Sequence, residues 1–232
     1  MKAFLLAAGQ GTRLRPITDK VPKCLVPIRG VPMLKTWMDL CRKSGVEEVL
    51  VNLHTHADSV RNWLDANGDG VHVHLAEEAT LLGSAGTLLA NRDWVSSESN
   101  FWIFYADVLT NSNLNRMLEC HLKRRPVATL GLYEVPDPSR CGIVTFDEQM
   151  MIQEFVEKPA QPKSRWAFSG VMIGTPELLD RIPAHYPVDL GFHVLPRLVG
   201  QLLAFPISEY LIDIGTLENY QRAQRTWPGS AA

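Results

Sequence analysis

The sequence predicts an α/β protein: a mixed, mostly parallel sheet flanked by helices, read as a single domain over residues 1–232. Three observations predict it. Short apolar runs alternate with segments of helical spacing over the first 135 residues, the pattern of parallel strands joined by crossover helices. Hydrophobic residues make up 46% of the chain and charged residues 21%, which is globular composition and excludes disorder. No apolar run approaches the ~18 residues of a membrane-crossing helix.

The elements follow in order. KAFLL (2–6), four apolar residues after Lys2, reads as a buried strand. Residues 32–44 carry Leu34, Trp37, Met38 and Cys41 at helical spacing, with Pro32 suited to the start and Gly45 to the stop. EEVLVNL (47–53) is the next strand. Asp58 to Leu64 is a short helix with Val60, Trp63 and Leu64 inward, and VHVHLA (71–76) is a half-buried strand. Ser84 predicts the N-cap of a helix to about Asn91. FWIFYA (101–106) is a strongly buried strand, Asn113 opens a helix to about Arg124, and VATLGLYEV (127–135) is another strand. Beyond residue 135 the character changes. GIVTF and MIQEFVE predict a hairpin, WAFSGVMIG (166–174) a strand, 176–182 and 189–199 helices, YLIDIG a strand, and Thr216 to about Trp227 a helix. KPAQPK (158–163) reads as an exposed loop. This part is expected to extend the sheet and form a lid-like lobe. Its apolar segments 166–174 and 189–199 could serve a core or a homodimer interface, and core is the reading taken.

Charge and thiols narrow the function. Twenty-three Lys and Arg against 25 Asp and Glu give a net charge of −2, which argues against nucleic acid or a polybasic membrane surface as partner. The N-terminal apolar run is too short for a secretion signal, so a cytoplasmic protein is expected. None of the four cysteines forms a CxxC pair, and buried free thiols are expected. His54 with His56, and His72 with His74, share strand faces at i, i+2, but no nearby third ligand supports zinc.

The strongest chemical segment is LLAAGQGTRLRP (5–16). A strand runs into small residues, so the backbone N–H groups of Ala7, Ala8, Gly9 and Gly11 can approach an anion. Thr12 adds a hydroxyl, and Arg13 and Arg15 add guanidinium groups suited to phosphate oxygens. The dinucleotide fingerprint fits poorly: Leu14 stands where a third small residue belongs, and strand two ends in Asn52 and Leu53 rather than an acid. The Walker A pattern is absent. Lys23, bracketed by Pro22 and Pro27 in an extended segment, is a candidate point charge for a polyphosphate. Asp107 follows the FWIFYA strand directly, and Asp213 interrupts an apolar strand, two positions where a carboxylate can hold Mg²⁺ against phosphates. Glu157 and Lys158 end a strand and could take sugar hydroxyls and a phosphate.

Taken together, LLAAGQGTRLRP, PKCLVPI, EEATLLGSAGTL, FYADVL, CGIV, FVEKP, FSG and LIDIGTLENY resemble the sugar-1-phosphate nucleotidyltransferases, in that family's order and across residues 2 to about 225. The resemblance is nearest to the short bacterial members similar to mannose-1-phosphate or manno-heptose-1-phosphate guanylyltransferases. It implies a Rossmann-like nucleotidyltransferase fold without a C-terminal β-helix domain, residues 1–135 forming the nucleotide-binding core and 136–232 the sugar-phosphate-binding, sheet-completing part. It implies that Ala8, Gly9, Gly11 and Thr12 cradle the nucleotide, that Arg13 and Lys23 contact its phosphates, and that Asp107 and Asp213 bind Mg²⁺. It also implies that Gly142, Glu157 and Lys158 hold the sugar phosphate, and that Glu78, Gly83 and Ser84 lie around the base. Cys24 and Ala106 depart from the residues common in the family.

The implied reaction suits the residue types. A sugar 1-phosphate, with a second pKa near ~6, is ionised at neutral pH and can attack the α-phosphorus of a nucleoside triphosphate without a side-chain nucleophile. Positioning and charge neutralisation then carry catalysis. Guanine offers two adjacent donors that a carboxylate such as Glu78 could accept, which points to GTP before UTP or dTTP. The alternatives are a UTP- or dTTP-dependent hexose-1-phosphate enzyme, a CTP-using transferase, a nicotinamide dehydrogenase, and a non-catalytic nucleotide-sugar-binding regulatory subunit. The last would be favoured by loss of Arg13, Lys23 or an aspartate, and none is lost.

Overall fold

A computed structural model describes residues 1–67 and 70–229. The chain divides into two compact units: residues 1–81, 104–112 and 209–232 form the first, residues 82–103 and 113–208 the second. The chain passes from the second to the first inside one strand, between Ile103 and Phe104.

The first unit is built on β1 (Lys2–Leu6), a two-residue hairpin of β2 (Pro27–Ile28) and β3 (Val31–Pro32), α1 (Met33–Lys43), β4 (Glu48–Leu53), α2 (Ala57–Ala66) and β5 (His72–Glu77). β1 pairs in parallel with β4, and β4 with β5, as the β-α-β alternation predicts. The last residues of β6 (Phe101–Tyr105) complete this sheet beside β1. α1 buries Leu34, Trp37, Met38 and Cys41, the predicted face, and Trp37 stacks on Phe104 at 4.6 Å between ring centroids. A short antiparallel pair, β7 (Val108–Thr110) with a later strand over Leu211–Asp213, lies apart from that sheet.

The second unit holds α3 (Ser84–Ala90), the start of β6, α4 (Leu114–Arg124), β8 (Ala128–Glu134), β9 (Gly142–Phe146), β10 (Ile152–Glu157), β11 (Trp166–Gly174), α5 (Pro176–Asp180) and β12 (Leu202–Pro206). Here the sheet is mixed. β9 and β10 form the predicted hairpin, β11 runs antiparallel to β8 and meets β9 at Ala167–Ile143, and β12 runs parallel to β8. β11 breaks register between Phe168 and Met172, where Gly170 takes φ +79°. The expected helix over 189–199 is instead one π-helical turn, Leu190–Val194, followed by a 3₁₀ turn, Leu195–Leu198. Pro196 has no N–H to continue an α-helical ladder.

The chain returns to the first unit through the strand Leu211–Asp213, here β13, and α6 (Leu217–Thr226). Thr216 caps α6 by accepting the Asn219 N–H at 3.2 Å. Leu14, Val26, Ile28, Met33, Leu109, Ile212, Ile214, Ala223 and Trp227 form one apolar cluster in this unit. Among the described residues no helix is long and apolar enough to cross a membrane, and there is no β-helix. All four cysteines are free; Cys24 and Cys41 are buried, and burial pushes both thiols up to about 12.

Candidate active site residues

In the first unit the small-residue loop leaves β1 at Ala7. Asn52, at the end of neighbouring β4, accepts the Ala7 N–H on Oδ1 at 2.7 Å. The Ala7 donor is therefore engaged within the protein. The two glycines of the loop differ. A Cβ on Gly9 would meet nothing within 4 Å, so its bareness leaves space over the loop. Gly11 has φ +64°, and a Cβ there would stand 2.8 Å from Thr18 Cγ2. Thr18 also donates its hydroxyl to Gly11 O at 2.8 Å, fixing the turn that leads into Thr12–Leu14.

Four charged groups converge next to this loop. Lys23 Nζ lies 2.5 Å from Asp107 Oδ2, with the lysine side chain only 11% exposed. Lys23 sits on a single 3₁₀ turn, Lys23–Leu25, rather than in an extended segment: Pro22 carries ψ 144°, and its carbonyl accepts the Leu25 N–H. Asp213 is brought to Asp107 by the antiparallel pairing of β13 with β7 and by the Ile214 N–H, which donates to Asp107 O at 2.9 Å. Ile212 and Ile214, on either side of Asp213, are both buried in the apolar cluster, so strand alternation aims the carboxylate the other way. Gly215 donates its N–H to Asp213 Oδ1. A Cβ on Gly215 would stand 2.6 Å from Asp213 Oδ1, 3.1 Å from an Arg13 guanidinium nitrogen and 3.4 Å from Lys23 Nζ. Glycine at 215 is what lets these three groups meet.

Burial and the charge of Asp107 push the Asp213 carboxyl up, against the opposing pull of Lys23, the Gly215 N–H and Arg13. Asp107 and Asp213 bring two carboxylates together, and carboxylate oxygens are the ligands a hard divalent cation takes. Among the described residues no group of three or more His, Cys, Asp or Glu is placed to hold a metal. Arg15 does not join the cluster; it pairs with Asp19 at 3.1 Å on the surface.

Glu78 is buried at 7% exposure, and its Oε1 accepts Asn52 Nδ2 at 2.8 Å. Its carbonyl is bonded to His54 Nδ1 at 2.8 Å. Glu77, beside it, is half exposed and pairs with Arg61. His74 pairs with Glu48 at 2.8 Å.

In the second unit a second group of predicted residues gathers around Glu157. A Cβ on Gly142 would stand 2.6 Å from Glu157 Oε2, and one on Gly191 would stand 2.5 Å from the same atom. The carboxylate thus lies in a slot that only glycines leave open. Burial pushes the Glu157 carboxyl up, Lys158 pulls it down, and Asp189 adds to the upward shift. Lys158, at φ +51°, places Nζ 4.0 Å from Glu157 Oε1 and 5.4 Å from the ring centroid of Phe192, which is 55% exposed.

Gly83 and Ser84 are tied into the same unit differently. Gly83 has φ +81°, and a Cβ there would lie 2.4 Å from Val188 O. Ser84 Oγ donates to Asp189 Oδ1 at 3.2 Å and accepts the Leu190 N–H at 2.8 Å. Gly83, not Ser84, is the N-cap of α3, and Ser84 is its first residue. These two residues anchor the 188–190 segment. Asn52, Gly191, Phe192 and Gly215 have no counterpart among the sequence-predicted site residues. Asn52 alone carried a sequence signal, a polar residue within the apolar run VLVNL.

A family model described as Nucleotidyl transferase matches residues 2–228. The chain is 31% identical to the UTP–glucose-1-phosphate uridylyltransferase of Synechocystis, over 97% of its own length and 63% of that protein's. It is 31% identical to the mannose-1-phosphate guanylyltransferase catalytic subunit beta of Xenopus tropicalis, over 95% of its own length and 62% of that protein's. It therefore spans a little under two thirds of these relatives. Among solved structures, HddC from Yersinia pseudotuberculosis complexed with GMP-PN superimposes with a TM-score of 0.82 at 26% identity, covering 97% of this chain and 99% of that one.

Proposed function

This chain belongs to the nucleotidyl transferase family, and from that premise we propose that it transfers a nucleotidyl group to a sugar 1-phosphate with release of pyrophosphate. The donor in this reading is GTP and the acceptor is manno-configured. The observation that carries the proposal is the convergence of Arg13, Lys23, Asp107 and Asp213 beside a loop of small residues. Such a cluster can bind a polyphosphate, and phosphoryl-type transfer to an already ionised phosphate needs positioning and charge stabilisation rather than a side-chain nucleophile.

The roles divide by chemistry. Ala8, Gly9, Gly11 and Thr12 line the nucleotide, Arg13 supplies planar donors, and Lys23 supplies a point charge that Asp107 holds in place. Asp107 and Asp213 would hold Mg²⁺, with phosphate oxygens and water completing a shell that two carboxylates leave open. Bound there, the ion would neutralise phosphate charge. Glu157 accepts sugar hydroxyls, Lys158 pairs with the sugar phosphate, and Gly142 keeps the slot open for Glu157. The buried Glu78 carboxylate, fixed by Asn52, accepts the N1–H and exocyclic amine of guanine. A relative named as a guanylyltransferase supports that base, whereas one named as a UTP-using uridylyltransferase favours a uridylyl reading.

Pyrophosphate release with Mg²⁺, crossing five nucleoside triphosphates with a panel of sugar 1-phosphates, tests both readings. Release that needs GTP and a manno-configured phosphate is the expected result. Release with UTP or dTTP keeps the reaction and overturns the assignment to Glu78. Nucleotide binding without release from any pair moves the chain to a sensing role.

A further inference from the structure

Asn52 joins two parts of the site that the reaction itself does not require to be joined. It is the penultimate residue of β4, is 4% exposed, and pairs in register with Leu6 of β1 and Ala76 of β5. Its amide therefore stands beside both the start of the small-residue loop and the segment that follows β5. Oδ1 accepts the Ala7 N–H at 2.7 Å, and Nδ2 donates to Glu78 Oε1 at 2.8 Å. Asparagine is the shortest side chain that accepts at one end and donates at the other. Aspartate would accept at both ends, and leucine would do neither.

We infer that Asn52 is a positioning residue for base selection: it ties the phosphate loop to residue 78 and fixes which hydrogen-bonding polarity residue 78 presents. The inference rests on the proposed reading of Glu78 as the group that meets the base. A donor fixed on Oε1 demands an acceptor at that atom and sets the plane of the carboxylate. In a Glu78→Gln variant the same donor captures the amide oxygen, so the amide nitrogen faces the base and suits a pyrimidine carbonyl. In the Asn52→Asp/Glu78→Gln double variant the amide turns over, because aspartate can only accept, and an oxygen faces the base again. The loop bond to Ala7 survives in both.

The test is equilibrium competition of GTP, UTP and pyrophosphate against a fluorescent nucleotide on the full chain, with thermal melting alongside. The wild type is expected to prefer GTP. Asn52→Ala leaves the Ala7 N–H and a Glu78 oxygen without this partner, so GTP affinity should fall about tenfold or more, with a smaller loss for pyrophosphate and a reduced GTP-to-UTP ratio. Glu78→Gln should shift the ratio toward UTP, and adding Asn52→Asp should shift it back toward GTP. Should Asn52→Ala fail to fold, the double variant, which keeps both bonds, decides the matter. A discriminating wild type whose Asn52 variants discriminate equally, with only the melting temperature lowered, overturns this inference alone. A wild type that binds GTP and UTP alike overturns the reading of Glu78 and this inference with it.

Discussion

The slot around Glu157 makes a quantitative prediction. Neither Gly142 nor Gly191 has a positive φ, so replacing either by alanine adds a methyl group without backbone strain. At 142 that methyl would stand 2.6 Å from Glu157 Oε2 and 2.7 Å from Phe155 Cζ; at 191 it would stand 2.5 Å from Oε2 and 3.1 Å from Glu157 Cδ. Ordinary contact begins at 3.4 Å, so the carboxylate falls short by 0.8 Å in one variant and 0.9 Å in the other. The Phe155 ring, packed edge-on at 6.4 Å from Phe168, closes the second direction at Gly142. Overpacking of this kind costs about 1–3 kcal/mol in stability. A misplacement near ~1 Å at a positioning group can cost up to ~100-fold in rate. We therefore expect kcat/KM for the sugar 1-phosphate to fall about 10- to 100-fold, or roughly 1.4–2.7 kcal/mol of transition-state stabilisation. Nucleotide affinity should stay at the wild-type level, because the added methyl groups meet Glu157 and Phe155. Steady-state pyrophosphate release and nucleotide titration measure the two terms, and Glu157→Gln, which keeps shape and drops charge, serves as the reference. Both alanine variants within twofold of wild type, with melting temperatures lowered, would refute the placement of Glu157 against the substrate.

Three other perturbations have clear signs. Lys23→Met removes the partner of a half-buried carboxylate, so kcat should fall at least ~100-fold, with about 1–3 kcal/mol lost in urea unfolding because Asp107 keeps some water contact. His121, 1% exposed and bonded to Thr129 Oγ1 and Asn100 Oδ1, is pushed down to about 4 by burial. Its unfolded form binds a proton first, so its contribution is complete above pH ~6.5 and is lost as pH falls toward ~4, on the order of 3 kcal/mol in all; a His121→Asn variant should lack that part of the slope of unfolding free energy against pH. Ellman's reagent at pH 8 should leave the buried thiols of Cys24 and Cys41 unmodified in the native protein, while all four react in denaturant; rapid labelling of more than two native thiols would contradict their burial.

The elements legible in the sequence are those whose residues report their own surroundings. WAFSGVMIG is apolar enough to mark a strand, and β11 occupies its full span, Trp166–Gly174. The helical spacing of Leu34, Trp37, Met38 and Cys41 names the face that α1 buries. β12, Leu202–Pro206, is harder to read: LLAF is apolar, but so short a run does not by itself separate a strand from the end of a helix. Leu190, Val194, Leu195 and Leu198 do have helical spacing, yet Pro196 breaks the ladder into a π turn and a 3₁₀ turn. In both places the outcome depends on backbone hydrogen bonding, to distant β8 in the first case and within the turn in the second, which an apolar pattern does not encode.

The candidate site divides the same way. Asp107 and Asp213 are legible one at a time, because a carboxylate at the edge of an apolar strand is costly without a partner. Their meeting is not, since it depends on the β7–β13 pairing, and nothing local in either strand names the other. The glycines show why. In the motif Gly9 and Gly11 look alike, but one leaves open space and the other answers to Thr18. Gly142, Gly191 and Gly215 matter because of the side chains they leave room for, Glu157 for the first two and Asp213 with Arg13 and Lys23 for the third. Such a role has no sign at the position itself. It exists only once the partner side chain has been placed, so groups that carry charge can be read from the chain, while the residues that aim them become visible only in the fold.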